Sequence, residues 1–288
     1  VEVANRVEAG IDLSTITLDK GDLTLQAKDS ATLNSSSEAA AIAAGFSIFA
    51  PSVSVSGGGA QADAIAGGNT EASITNSTVT LPIGNLIVSA TQDVNVDSTS
   101  GSKSITSGLN SLAAGGSIAN VELKPDIKAL LTNSTVTASG ITVSSVTTPT
   151  GLAEANGLSA GPGAAVGVSE AEVILTPQVK STAGGSGIIN ADSLLVESRT
   201  NLYEHPDTPR KSAKAEAIGS AGALIGTTST HANVQTGGSV TSKILPMSNL
   251  TVRETTVSAD SFATNEAIAD SYAGGALAIG VSKAIAKS

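Results

Sequence analysis

The sequence predicts an all-β protein, a parallel β-helix (β-solenoid) running as one continuous stack over residues 1–288. Three observations point there. Blocks of residues recur along the chain at intervals of 52–63. Inside the blocks apolar residues alternate with polar ones, which is a strand period. The core must also be built almost without aromatic side chains, since Phe, Tyr and Trp make up 2% of the chain while apolar residues make up 40%. Small inward residues suit a narrow core in which each layer resembles the next.

The repeat is read first, because missing it would misassign everything else. The string TNSTVT stands at 75–80 and again at 132–137, an offset of 57. An alternating apolar run follows each copy: Leu86, Val88 and Ala90 after the first, Ile141 and Val143 after the second. The same run recurs as Leu23, Leu25 and Ala27, as Leu194 and Val196, and as Leu250 and Val252. This divides the chain into a tail of a preceding unit (1–20), four repeats (21–83, 84–139, 140–191, 192–247) and an incomplete one (248–288). A second block aligns Ala119, Val121, Leu123 and Pro125 with Ala171, Val173, Leu175 and Pro177; HANVQTGGSV at 231–240 and QADAIAGGNT at 61–70 follow it more loosely. A third joins AVGVSEAEV at 165–173 to AIGVSKAIA at 278–286.

Alternation decides strand over helix even where Ala dominates. Ala213, Ala215, Ala217, Gly219 and Ala221 share one face of a strand, with Ser212, Lys214 and Glu216 on the other. A helix would scatter the same alanines around its circumference. Abundant Gly, Ser, Thr and Val also disfavour helix. A unit of 52–63 residues is expected to hold two to three turns, with Gly57–Gly59, Asn190–Asp192 and Gly237–Gly238 at corners. Three turns per repeat would make roughly fifteen turns and a rod of ~70 Å at a rise of ~4.8 Å.

The net charge of −10 offers no basic stripe to neutralise phosphates, which argues against nucleic acid. The chain has no Cys, so disulfides and thiolate metal sites are excluded. Its apolar stretches, such as 273–281, are too short and Gly-rich to span a bilayer as a helix. A start at Val1 with neither initiator Met nor signal peptide reads as an excerpt from something longer.

Units with a Gly84-Asn85-Leu86-Ile87-Val88 opening, Ala/Gly-rich alternation and an Asn76-Ser77-Thr78-Val79 type of close resemble the stalks of very large bacterial filamentous adhesins. These are the filamentous-haemagglutinin-like and leukotoxin-family kinds, and the resemblance covers essentially the whole chain. It implies export to the cell surface, an extracellular location, and a role in attachment or filament building. The partners implied are neighbouring repeats of the same chain, lateral or end-to-end copies of it, and surface glycans or matrix.

A search for chemistry yields no catalytic, cofactor-binding or metal-ligating residues to nominate, and no cofactor. The one dense polar cluster, NLYEHPDTPRK at 201–211, holds Tyr203, Glu204, His205, Asp207, Arg210 and Lys211. These types could serve acid–base chemistry, but they occur once, and Pro206 and Pro209 mark a loop. His231 opens a repeat block and is expected to point outward. GGSGIINAD at 184–192 only approaches the calcium-binding nonapeptide, with its Asp out of place. The Asn-x-Ser/Thr triplets at Asn34, Asn76, Asn133 and Asn249 read as turn chemistry, since Asn76 and Asn133 recur with the repeat. The expected function is therefore a structural or adhesive rod rather than an enzyme. The alternative is a β-helical glycan-active enzyme or tailspike-like depolymerase, which needs an acidic cluster on one face.

Overall fold

A computed structural model describes residues 1–45, 53–108, 110–201 and 212–288. Each coil runs along one sheet and returns along a second. The first coil contains β1 (Glu2–Asp12), then β2 (Thr15–Thr17) and β3 (Leu23–Ala44); the second contains β4 (Val53–Thr75) and β5 (Thr78–Ser107). The third is β6 (Asn110–Thr132) and β7 (Thr135–Ala160). The fourth is β8 (Ala164–Leu175) and β9 (Gln178–Gly184), then β10 (Ile188–Thr200) and β11 (Ala213–Gly222). The fifth is β12 (Ile225–Thr236) and β13 (Ser239–Ile244), then β14 (Asn249–Ser261) and β15 (Asn265–Gly274). A last strand, β16 (Leu277–Lys287), opens a sixth coil. Strands β1, β4, β6, β8 with β9, β12 with β13, and β16 form sheet A; the others form sheet B, and every pairing is parallel. The parallel β-solenoid expected from the alternation is what the chain builds.

The ladder register reproduces the sequence offsets. Leu23 pairs with Leu86, Thr78 with Thr135, Leu123 with Leu175, and Ala165 with Gly226, which in turn pairs with Ala278. One repeat is therefore one coil, and the expectation of two to three turns per repeat is corrected. The cause lies in strand length. The period-two pattern runs for 23 residues in β4 and in β6, and for 30 and 26 residues in β5 and β7 with a single change of phase between Leu81 and Asn85 and opposite it near Gly140, so the presumed corners inside each unit do not exist. Gly57–Gly59 lie inside β4 and Asn190–Asp192 inside β10. Gly237–Gly238 separate β12 from β13 without leaving sheet A. Strands of 23–30 residues extend ~75–100 Å, whereas six stacked strands rise only ~24 Å. The protein is a broad slab rather than the ~70 Å rod expected from fifteen turns.

The fifth coil also stacks differently from the alignment of its sequence. Leu250 and Val252 pair with Ile189 and Ala191, and Thr255 pairs with Leu194. In this register Leu250, Val252, Thr255 and Val257 stack on inward positions, whereas aligning Leu250 with Leu194 would place Glu254 over the buried Ser198.

The corners joining sheet A to sheet B explain the Asn-Ser motif. Asn76 and Asn133 have φ of 50° and 53°, the left-handed region that Asn tolerates better than branched residues. Ser77 and Ser134 follow. Each hydroxyl donates to the carbonyl two residues back, at 2.7 and 2.9 Å, and each accepts the serine N–H of the preceding coil: Ser14 onto Ser77 and Ser77 onto Ser134, both at 3.1 Å. A serine ladder thus staples successive corners together. Leu13 occupies the same corner of the first coil with φ 49°, and Ser14 after it likewise donates to Asp12 O at 2.8 Å.

The core grades from large to small along the strands. Beside the Asn corners it holds Ile74, Leu81, Leu86, Ile127, Leu131 and Ile141. Mid-strand it becomes Ala and Val, with Ala213, Ala215 and Ala217 packed in the cluster that contains Val121, Leu123, Val173 and Val234. Towards the opposite corners it narrows to Ala, Ser and Gly. There the two sheets close until side-chain hydroxyls bond the backbone of the facing sheet: Ser100 to Ala60 O at 2.9 Å, Ser159 to Val166 O and Ser169 to Ile218 O at 2.6 Å. A buried hydroxyl needs an acceptor, and a ladder carbonyl retains a second lone pair for it. A methyl built on Gly157 would stand 2.6 Å from Val168 O, and one on Gly167 2.7 Å from Ser220 O. Only glycine permits this approach.

Between the aliphatic end and the Ala/Val middle lies a polar belt. Asp29 is buried inside the first coil, accepting Gln92 Nε2 at 2.9 Å and Asn5 Nδ2 at 3.1 Å. Thr147 and Thr200 continue that column in the next two coils.

Candidate interaction surfaces

The polar cluster singled out at 201–211 lies, from Tyr203 through Lys211, outside the described residues. Its flanks are described. Asn201 sits at φ 54° and donates Nδ2 to Ser212 Oγ at 3.1 Å, closing the gap where this coil carries its extra residues. Thr147 pairs with Thr200 and Gly151 with Ala213 on its two sides. His231 points outward from sheet A, 3.6 Å from Glu170 Oε1. Asn34 faces outward from β3, and Asn249 begins β14. None of the described residues among these brings catalytic groups together.

A site not singled out in the sequence is a concavity of about 500 Å³ on the outer face of sheet B. Alternation puts Asp93, Asn95 and Asp97 of β5 on one outward stripe, flanked by Thr32 on β3 and by Thr150 and Leu152 on β7. Thr148 donates to Asp93 Oδ1 at 2.9 Å and Thr150 to Asn95 Oδ1 at 2.5 Å. Lys214 closes one end and donates Nζ to Glu216 at 2.5 Å, a bond that raises the lysine's pKa above its ordinary value. Partial burial raises the carboxyl of Asp97 above its usual range. The concavity lies beside the stretch of β7 that has no β10 or β11 partner. Its signal in sequence was the stripe DVNVD; what hid it was that its two neighbours come from about 60 residues upstream and 55 downstream.

No protein family, characterised protein or solved structure matches this chain. Its surfaces are therefore read from their chemistry. Among the described residues no three His, Asp or Glu side chains gather at metal-binding distance.

The outer face of sheet A is the second surface. Towards the Gly/Ser end of the slab its outward columns carry no charge. One runs Val55, Leu112, Ala164, Ile225, Leu277. The next runs Gly57, Ala114, Val166, Thr227, Ile279, and a third runs Gly59, Gly116, Val168, Ser229, Val281. Val55, Leu277, Ile279 and Val281 are each more than half exposed. The glycines leave a groove of about 390 Å³ between β4 and β8. Charge returns in the adjoining column with Glu170, His231 and Lys283.

The third feature is the pair of terminal coils. Strands β1 and β3 at one end, and β14, β15 and β16 at the other, each pair with a neighbour on one side only.

Proposed function

We propose that this chain is a structural and adhesive segment of a large secreted bacterial surface protein, a stalk or filament portion that serves attachment or assembly at the cell surface. What carries the reading is the coil-by-coil register: every repeat forms one coil, and the strand edges of both terminal coils can be continued by further coils of the same kind. In such a stack each coil touches mainly its neighbours, so coils can be added or lost with little change elsewhere. A stack rising only ~24 Å shifts the emphasis from reach to breadth. The product of this architecture is two wide flat faces, on which ligands or other copies can sit. The polar concavity beside Asp93 and Asp97 suits a hydroxyl-rich ligand such as a surface glycan.

The glycan-cleaving alternative is weaker. Asp93 and Asp97 are four residues apart on one strand, ~13 Å along it, wider than the ~5–9.5 Å between the paired carboxyl groups of most glycosidases.

The test is excision of one coil in register. Because Ala138 pairs with Ala191 and Gly140 with Ser193, removal of 140–192 joins Ser139 to Ser193 without moving any side chain to the wrong face. The shortened protein is expected to fold with an unchanged β spectrum, to be thinner by one rung of ~4.8 Å, and to reach the surface and support attachment as before. A folded product that had lost a defined catalytic activity would overturn the reading in favour of the enzyme.

A further inference from the structure

We propose that two copies of this chain associate face to face through the uncharged outer face of sheet A, about a two-fold axis that lies in the interface along β8. This concerns which surface joins copies together, and it stands whether or not the coils serve as a stalk.

The argument starts from how bulk is distributed over that face. In two of the three columns the glycines occupy the early coils and the branched residues the late ones, Gly57 with Ile279 and Gly59 with Val281; in the third, Val55 and Leu112 stand opposite Leu277 and Ile225. An axis along β8 reverses coil order but leaves each column facing itself. It therefore lowers Ile279 of one copy onto Gly57 of the other, and Val281 onto Gly59, twice over. Val166 and Val168 meet their own counterparts on the axis. In those two columns ridges meet grooves, and in the third apolar side chains meet apolar side chains, the self-complementarity that an isologous dimer requires.

Area and charge agree with this occupant. Five rungs by three outward columns cover roughly 24 by 20 Å, so a pair buries on the order of 1,000 Å², the threshold of specific interfaces. An uncharged patch of roughly 480 Å² on each copy is as large as the largest patch an ordinary monomer exposes, and patches of that size are often functional. Two chains of net charge −10 repel each other at long range, and this is the broad uncharged area where they can touch with no like charges in contact.

The chain lacks cysteine, which makes the test clean. Val168→Cys is expected to give a covalent dimer with a short bismaleimide, whereas Thr99→Cys, exposed on the outer face of sheet B, is not. Val166→Lys with Val168→Lys should weaken association at least ~10-fold by sedimentation equilibrium, with an unchanged β spectrum, since one such factor corresponds to ~1.4 kcal/mol. Gly59→Leu separates a fitted interface from mere stickiness. A side chain there meets only ordinary contact, with Gly116 O at 4.0 Å from its Cβ, so the fold is kept. It adds apolar surface yet fills the groove, and dimerisation should fall at least ~10-fold. Stronger association of Gly59→Leu would overturn the proposal. So would a solution mass unaltered by the double lysine substitution together with no cross-linking of the Val168→Cys variant, which would mean a monomer if that mass is one chain's and association through the strand edges if it is larger.

Discussion

At Gly157 a single hydrogen atom decides how close two sheets can come. Its neighbour across the core is a backbone carbonyl that cannot rotate away, so Gly157→Ala must push the sheets apart. A loss of ~1–3 kcal/mol is expected, the usual range for overpacking. Gly116→Ala is the control, because a methyl there meets no atom within 4 Å; it should be nearly neutral in the same denaturant titration. Asp97 gives a second test at this scale. Burial raises its pKa, so ionising the folded protein costs more than ionising the unfolded chain. That penalty is absent below the ordinary value of 3.8, grows as pH rises through it, and is complete above the raised folded value. Asp97→Asn should therefore increase thermal stability at neutral pH and leave it unchanged in acid. Residues of this kind were partly legible in sequence. Ala215 and Ala217 are fully buried and Lys214 faces outward, as alternation demands. That Gly157 and Gly167 mark a near contact was not, because composition cannot distinguish a glycine that bends the chain from one that admits a neighbour.

The corner is the element on which register depends. Asn133 holds a left-handed backbone while the serine after it bonds along the stack. Asn133→Gly should be tolerated, since glycine adopts that conformation freely, whereas Asn133→Val should cost ~1–2 kcal/mol in strain. Leu13 reverses the sign. It already holds φ 49° with a branched side chain that is 80% exposed, so Leu13→Gly or Leu13→Asn should stabilise the protein, by up to ~1 kcal/mol. Measured unfolding free energies that rank these substitutions otherwise would contradict this account of the corner. The motif was legible as turn chemistry because it recurs with the repeat. The strands were legible as strands but not in their length. Gly57–Gly59 resemble a corner to anyone counting glycines, yet Gly58 faces inward towards Lys103 O and its neighbours face outward. A strand whose core is Ser, Gly and Ala looks like a loop in composition and differs only in its period.

For the molecule as a whole, the repeat offsets identified which residues stack on which, through 63, 57, 52 and 61 residues from coil to coil. They did not say how many times the chain turns within an offset, because a repeat of about 56 residues has the same period whether it makes one coil or three. That ambiguity has a mechanical consequence. In a stack with one coil per repeat, tension along the axis loads every hydrogen bond between two coils together, but tension on a chain end peels the outermost coil alone. Each coil that comes away frees 52–63 residues at once, a gain in contour of roughly 170–230 Å at ~3.3–3.6 Å per residue. A molecule pulled by one end of its chain would yield in a few long steps rather than many short ones, dissipating force as a brake does while the remaining coils hold.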